Sequence, residues 1–435
     1  VPGCRRNVFH AFLPFTQGPT VFQRINGHKE KLTTDSRGSH QKAGILNIMG
    51  SGKTGAQPVC ITDAATVTAL GSNLNQLWER LLAGHTGIRP VEYFPVENYI
   101  SRFAAWIPDL AQTADQSGRS RLHGLVNRLL ATINPVPADS FLITATTKAG
   151  IDNIERLCRE KPTDVQEMVA STIAQMICKR LDLSAPGINI NAACASSTIA
   201  VARAAALIAA GRIDSALVCC MDVITDFVFS GFSSLRAIAP QPCKPFDKNR
   251  SGLSLGEGAA ALLLMNAHRA SENRLPNLGT VAGWGVGNDA THITAPARDG
   301  SGLIRAIKKA LTTADIDPGQ IAAISAHGTG TIYNDAMELT AFRQVFGHNR
   351  IPAYSVKGAI GHTLGAAGGI EIALGLQALA TQVLPPTVGL SDPEDGAAEL
   401  FSRSSQTVTG DYLLTTNSGF GGINAAIVLE KGNIS

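Results

Sequence analysis

Charge is scarce in this chain of 435 residues: Asp, Glu, Lys and Arg together make up 16%, and the formal net charge is +3. Recognition of nucleic acid or an anionic membrane calls for a concentrated basic stripe, so neither is a predicted partner, although a modest basic patch would still serve an acidic protein. Paired cysteines are also missing. Cys4, Cys60, Cys158, Cys178, Cys194, Cys219, Cys220 and Cys243 form no C-x-x-C unit and no ligand spacing with histidine, which predicts reduced thiols, a cytoplasmic setting and no metal. No uninterrupted apolar run reaches the roughly 18 residues of a membrane span; Arg203 breaks the best candidate. Val8 to Phe15 is too short and mixed for a signal-peptide core. Gly50-Ser51-Gly52-Lys53-Thr54 is incomplete as a phosphate loop, because Asn47 stands where its first glycine belongs and no strand precedes it.

What the chain does have is apolar surface, at 44% of residues, enough for a large core. Residues 1–56 lack apolar periodicity and read as a poorly ordered leader, with Met49 a candidate start. From Pro58 the pattern changes. Val59 to Thr62 reads as a strand, Ala64 to Gly71 as a loop, and Asn73 to Leu82 as a helix closed by Gly84. Ser140 to Thr146 reads as a buried strand, Val165 to Leu181 as a helix, and Ser215 to Cys220 and Ala259 to Met265 as further strands. A second series follows from about Leu278: helix Gly302 to Thr312, strand Ile321 to Ala326, helices Asp335 to Phe346 and Gly365 to Ala380, and strand Ala425 to Glu430. The alternation predicts an α/β fold with its sheet covered on both faces. We place the halves at 57–270 and 271–435, either duplicated or two unrelated domains.

Cys194 stands where a short run, Gly187 to Asn191, read as a buried strand, passes into an Ala-rich helix ending at Gly211. Unpaired N–H groups and the dipole at a helix start favour a thiolate over the free thiol of pKa about 8.5 and could hold an oxyanion. A buried, inert cysteine is the plainer alternative. Two histidine segments favour chemistry. Ser325-Ala326-His327-Gly328-Thr329-Gly330-Thr331 puts His327 at the C-terminal end of a strand, where α/β proteins bind ligands. Ser355-Val356-Lys357-Gly358-Ala359-Ile360-Gly361-His362 sets Lys357 and His362 five apart before a helix bearing Glu371. A nucleophile with two imidazoles is a more specific constellation than any of its parts.

With the cysteine elbow, the His-Gly-Thr-Gly-Thr segment, the Lys357 to His362 spacing, Asn417-Ser418-Gly419-Phe420-Gly421-Gly422, and Pro245-Phe246-Asp247 with Gly256-Glu257-Gly258, the chain from about Val59 onward resembles the β-ketoacyl-acyl carrier protein synthases of the thiolase superfamily. The resemblance implies a duplicated α-β-α-β-α layered fold and decarboxylative condensation without metal or organic cofactor, in fatty acid or polyketide chain elongation. Its implied partners are acyl- and malonyl-loaded carrier protein and a second subunit, as a homodimer or a heterodimer with a chain-length partner. It implies that Cys194 carries the acyl group and that the N–H groups of Cys194 and Phe420 hold the thioester oxyanion. His327 and His362 would bear the enolate charge, and Lys357 would orient them with Glu371 as its partner. Thr329 and Thr331 would bond the pantetheine arm, and Phe420 would gate the acyl pocket. The residues alone leave plainer roles open: a surface position for Glu371, turn support for the threonines, core packing for Phe420.

The chain departs from the family pattern at Asp63-Ala64-Ala65 and at Arg250-Ser251-Gly252-Leu253. Lys148 falls where many relatives place an apolar residue beside the acyl pocket, which argues against an ordinary long saturated chain. The rival readings are a non-catalytic chain-length-factor-like binding subunit, a thiolase, which would need a late second cysteine where none follows Cys243, and a cysteine hydrolase, which would need an orienting Asn or Asp.

Overall fold

The computed structural model describes residues 57–110 and 118–432. The expected leader, its Met49 start and the phosphate-loop-like segment lie outside the described residues. Ten strands carry the fold. The first five are β1 (Val59–Thr68), β2 (Phe141–Ala145), β3 (Ile188–Asn189), β4 (Ser215–Asp222) and β5 (Gly258–Asn266). The second five are β6 (Gly279–Asn288), β7 (Ile321–Ser325), β8 (Ala353–Tyr354), β9 (Tyr412–Gly419) and β10 (Ile423–Lys431).

The spatial order is β3-β2-β4-β5-β1 in the first set and β8-β7-β9-β10-β6 in the second. In each set the second strand by sequence pairs parallel with the third and fourth, and the fifth pairs antiparallel with the fourth and first. Identical order and direction make the second set a copy of the first. Duplication, left open beside two unrelated domains by the sequence, is plain in the topology. The copies join where Cys60 and Ile61 of β1 pair antiparallel with Thr280 and Gly279 of β6.

Helices fill three layers. Between the sheets lie α4 (Ser196–Ala209) and α7 (Ala367–Thr381), numbered in chain order after α1 (Leu74–Leu82), α2 (Arg121–Leu130) and α3 (Ala170–Leu181). Both central helices are apolar around most of their circumference because sheet or helix covers every side, and they share one core with the inner faces of β4, β5 and β10. The outer face of the first sheet packs on α2 and α3, and that of the second on α5 (Ser301–Ala314) and α6 (Ile332–Phe346). On β6 the glycines at 283, 285 and 287 seat α5: a Cβ at Gly283 or Gly285 would meet the carbonyl of Ala310 or Ala306. Among the described residues one helical stretch, Leu364–Thr381, is long and apolar enough to cross a membrane by composition, rather than the run broken by Arg203, but 83% of it is buried in the protein.

Four local expectations are corrected. The loop expected over Ala64 to Gly71 is mostly strand, since β1 runs to Thr68 against β5 past a register shift between Ile61 and Asp63. The Asp63 carboxylate caps that irregularity by accepting from Ala64 N (3.0 Å) and Asn134 N (2.8 Å). The helix expected from Val165 is a 3₁₀ turn, Val165–Met168, then α3, with Val169 between them extended at φ −97° and ψ 122°. The last long helix likewise opens with a 3₁₀ turn, Leu364–Ala366. The strand before Cys194 is two residues at the sheet edge, and Ile188 is 41% exposed rather than buried.

Candidate active site

Cys194 ends the turn that joins β3 to α4. Ala193 before it has φ 50°, a left-handed conformation uncommon for a residue with a Cβ, and the surroundings hold it there. Ser196 Oγ accepts from Ala192 N (2.8 Å) and donates to Ala193 O (2.6 Å), while Asn191 Nδ2 reaches across to Thr147 O (3.0 Å). The end of β9 presses on the same turn. A Cβ at Gly419 would lie 3.0 Å from Ala192 O and 3.2 Å from Cys194 N, so glycine lets the two copies meet at the sulfur.

The expectation of a thiolate favoured by the helix start is corrected. Cys194 is 7% exposed, and burial pushes its thiol up; the charges of Lys148 and Lys357 and the Phe420 N–H beside the sulfur offset this only in part. Losing water costs the anion more than the dipole and two ammonium groups return. The resting nucleophile is the thiol.

His327 follows β7 and His362 lies in the loop before α7, and both are 1% exposed. One ring nitrogen of each and Cys194 Sγ lie within 4.8 Å of one another, and the two rings meet edge-on with centroids 5.2 Å apart. Their tautomers follow from their partners. His362 Nδ1 accepts from Leu364 N (3.1 Å), and Asn417 Nδ2 lies 3.1 Å from His327 Nδ1. An Nδ1 that accepts leaves the proton on Nε2, so both imidazoles are N–H donors on their other edge. Burial and then Lys357 hold both well below the usual histidine range; His362 adds to this for His327, and Lys148 for His362.

The orientation of Asn417 rests on a buried chain of charge. Lys357 and Glu371, each 1% exposed, pair at 2.5 Å, and Lys357 Nζ also donates to His327 O (2.5 Å). Glu371 Oε2 accepts from Asn417 Nδ2 (2.6 Å), and Thr198 Oγ1 on α4 donates to Asn417 Oδ1. With its oxygen held by Thr198, the amide must point its hydrogens at Glu371 and His327. Burial pushes the Glu371 carboxyl up, and Lys357 pulls it back.

Three of these contributors escaped the sequence reading: Asn417, quoted only as part of a motif, Glu338 and Asp222. Glu338 on α6 accepts from His327 N (2.7 Å) and Gly328 N (2.7 Å) on separate oxygens, fixing the histidine's backbone; burial and then Asp335 push its carboxyl up, and those two N–H groups and Lys357 pull it back. A carboxylate eleven residues beyond a histidine has no local periodicity to betray it. Asp222 at the end of β4 binds Gly365 N (2.7 Å) after His362 and Thr147 Oγ1 (2.7 Å) beside Lys148, tying one copy's loop to the other's turn.

A cavity of about 310 Å³ opens on Cys194, His327 and His362. Thr329 and Thr331 line it and also bond each other (2.8 Å), so they reach the cavity and brace their turn at once. Phe420 is half-buried in its wall and stacks on Phe232, with ring centroids 5.7 Å apart. Lys148 lies over the Phe232 ring, Nζ 5.9 Å from its centre. The sulfur and two imidazoles have the composition of a soft metal site, but the Lys148 and Lys357 charges directed at them oppose a second cation.

Two family models match the chain, "Beta-ketoacyl synthase, N-terminal domain" over residues 140–270 and "Beta-ketoacyl synthase, C-terminal domain" over residues 278–391. The chain is 30% identical over 407 residues to 3-oxoacyl-[acyl-carrier-protein] synthase 2 of Vibrio harveyi, covering 86% of this chain and 98% of that protein. Its fold is similar to the ishigamide ketosynthase/chain length factor, with TM-score 0.79, 26% identity, and coverage of 86% and 99%. It is also similar to the ketosynthase ApeO in complex with its chain length factor ApeC from Xenorhabdus doucetiae, with TM-score 0.71, 27% identity, and coverage of 88% and 100%.

Proposed function

Because the chain belongs to the β-ketoacyl synthase family and is a condensing acyltransferase, we propose that Cys194 carries the growing acyl group and that His327 and His362 together bear the charge released from malonyl-acyl carrier protein. The observation that carries this reading is the sulfur within 4.8 Å of two imidazoles whose Nδ1 atoms are already engaged. Neither Nε2 has a lone pair to take a proton, so the imidazoles act as donors rather than bases.

In the first half-reaction the sulfur attacks the acyl thioester carbonyl. The oxyanion settles between the N–H groups of Cys194 and Phe420, the bond to the pantetheine sulfur breaks, and that departing sulfur takes the thiol proton. In the second, the bond between the malonyl carboxylate and its α-carbon breaks. Carbon dioxide leaves, and the electron pair passes into an enolate whose oxygen accepts from the His327 and His362 Nε2–H groups. The α-carbon then attacks the Cys194 thioester, the same two N–H groups hold the second oxyanion, and Cys194 leaves as a thiolate, giving the β-ketoacyl product and taking a proton from water to return to the thiol. Thr329 and Thr331 bond the pantetheine arm, and Phe420 in the cavity wall gates the acyl subsite.

The complete Cys-His-His cluster sets aside the chain-length-factor-like alternative. Arg236 on the cavity and Arg298 over exposed Tyr333 (5.9 Å) support docking of an acidic carrier protein at the mouth. The exposed sheet edge at Ile188 supports pairing with a second subunit, as a homodimer or with a chain-length partner. Free thiols at Cys60, Cys178, Cys194, Cys219, Cys220 and Cys243 support a reducing, cytoplasmic setting. The test is intact-mass measurement of the protein incubated with a panel of acyl-carrier proteins, followed by malonyl-carrier protein. We expect an acyl adduct that is consumed to β-ketoacyl product and that Cys194→Ala cannot form; an adduct of equal yield in Cys194→Ala would sink the reading.

A further inference from the structure

The turn Thr146-Thr147-Lys148-Ala149-Gly150 after β2 is locked from behind. Asp222 accepts from Thr146 Oγ1 (2.8 Å), Thr147 N (3.0 Å) and Thr147 Oγ1 (2.7 Å), and Ala149, at φ 49°, donates to Thr146 Oγ1 (3.0 Å). A Cβ at Gly150 would lie 2.8 Å from the Ser120 side chain, so the turn has no room to retreat. The lysine it presents is therefore held in place at its Cα.

What that ammonium touches is meagre. Nζ donates to Thr147 Oγ1 (2.9 Å) and faces the Phe232 ring; no carboxylate pairs with it among the described residues. Asp222 is no partner, since Thr146, Thr147 and Gly365 already occupy both of its oxygens. Two of the three N–H bonds of Lys148 remain uncommitted. The group is half-buried, its charge acts on both Cys194 and His362, and the Phe232 it covers stacks on Phe420 at the reacting sulfur.

An alkyl chain laid against such an ammonium strips its water and offers nothing in exchange, whereas an oxygen on the chain restores a hydrogen bond to a charged donor. We infer that Lys148 is a specificity-determining residue of the acyl subsite, donating to an oxygen on the chain carried by Cys194, and that this protein elongates oxygenated acyl groups in preference to plain alkyl ones. The inference rests on the assignment of Cys194 as the acyl carrier. A Lys148 that only tuned the sulfur would change the rate for all acyl groups alike, so the ratio between acyl groups separates the two roles.

The experiment is a competition. The full chain is given equal concentrations of hexanoyl-pantetheine and either its 3-hydroxy or its 5-oxo analogue, and the adducts on Cys194 are counted by mass spectrometry. Wild type is expected to favour at least one oxygenated thioester by about tenfold or more, the scale of a hydrogen bond to a charged group. Lys148→Met should bring that ratio to one or below, and Lys148→Gln, which keeps the length and one donor, should fall between. Should either variant melt early, the wild-type preference decides alone. A wild type that favours hexanoyl, or variants that slow all thioesters with the ratio unmoved, overturns the inference. If no thioester labels the protein, or label persists in Cys194→Ala, the carrier assignment fails and takes this one with it.

Discussion

At the residue scale the decisive atom is the amide hydrogen of Asn417. Asn417 Nδ2 serves both Glu371 Oε2 and His327 Nδ1, and Thr198 holds the other end of the amide, so the proton on His327 is placed by a residue behind the cavity lining. Asn417→Asp removes those hydrogens. Its carboxylate would accept from His327 Nδ1–H, moving the ring proton away from Nε2, and would repel Glu371. We expect kcat for condensation to drop by about 10²-fold or more, the scale of losing a preorganised donor. KM for the acyl donor should hold, and the ¹⁵N shift of His327 Nε2 should change from protonated to bare. A purely structural role would lower stability without that tautomer signature.

At the scale of an element, α6 acts as the clamp on the His327 loop. Glu338 receives His327 N and Gly328 N on different oxygens and also binds Asn334 Nδ2 (2.9 Å), while Asp335 one turn earlier binds Phe246 N (2.8 Å) and Gly330 N. Glu338→Gln keeps the shape but turns one acceptor into a donor, leaving a buried backbone N–H facing an NH₂. Each such mismatch costs about 1–3 kcal/mol. The expected result is a lower denaturation midpoint in urea with an unchanged slope, together with loss of malonyl decarboxylation. Glu338→Asp, which retains two acceptors on a shorter arm, should lose less on both measures.

For the whole molecule, the meeting of two copies of one fold creates the dry space that keeps His327 and His362 neutral. Their folded-state pKa values lie well below 6.5, whereas the unfolded chain takes up protons near that value. Below pH 6.5 the unfolded state therefore binds more protons, and the stability these two residues allow is lost as pH falls toward their folded values. Replacing both with Gln removes that loss. The Tm of the double variant minus that of the wild type should become more positive between pH 7 and pH 5, as about the window where free imidazole titrates; a constant difference would refute buried neutral imidazoles.

Much of this was set along the chain. Apolar runs over β2, β4 and β5, Asn73 capping α1, and Gly211 at φ 62° after α4 are local signals, and they located most elements and the order in which Cys194, His327, Lys357 and His362 occur. Tertiary structure alone decided what spans the two copies. It extended β1 to Thr68 because β5 lay beside it, put Ile188 at an edge, and raised the thiol of Cys194 by burying it, against the local pull of the helix. It also assembled Lys357, Glu371, Asn417 and His327, drawn from three separate stretches, into one chain of proton-fixing contacts. Periodicity and capping act over a turn or two of backbone, so sequence shows them. Desolvation and hydrogen-bond direction depend on which distant groups close around an atom, and only the folded packing determines that.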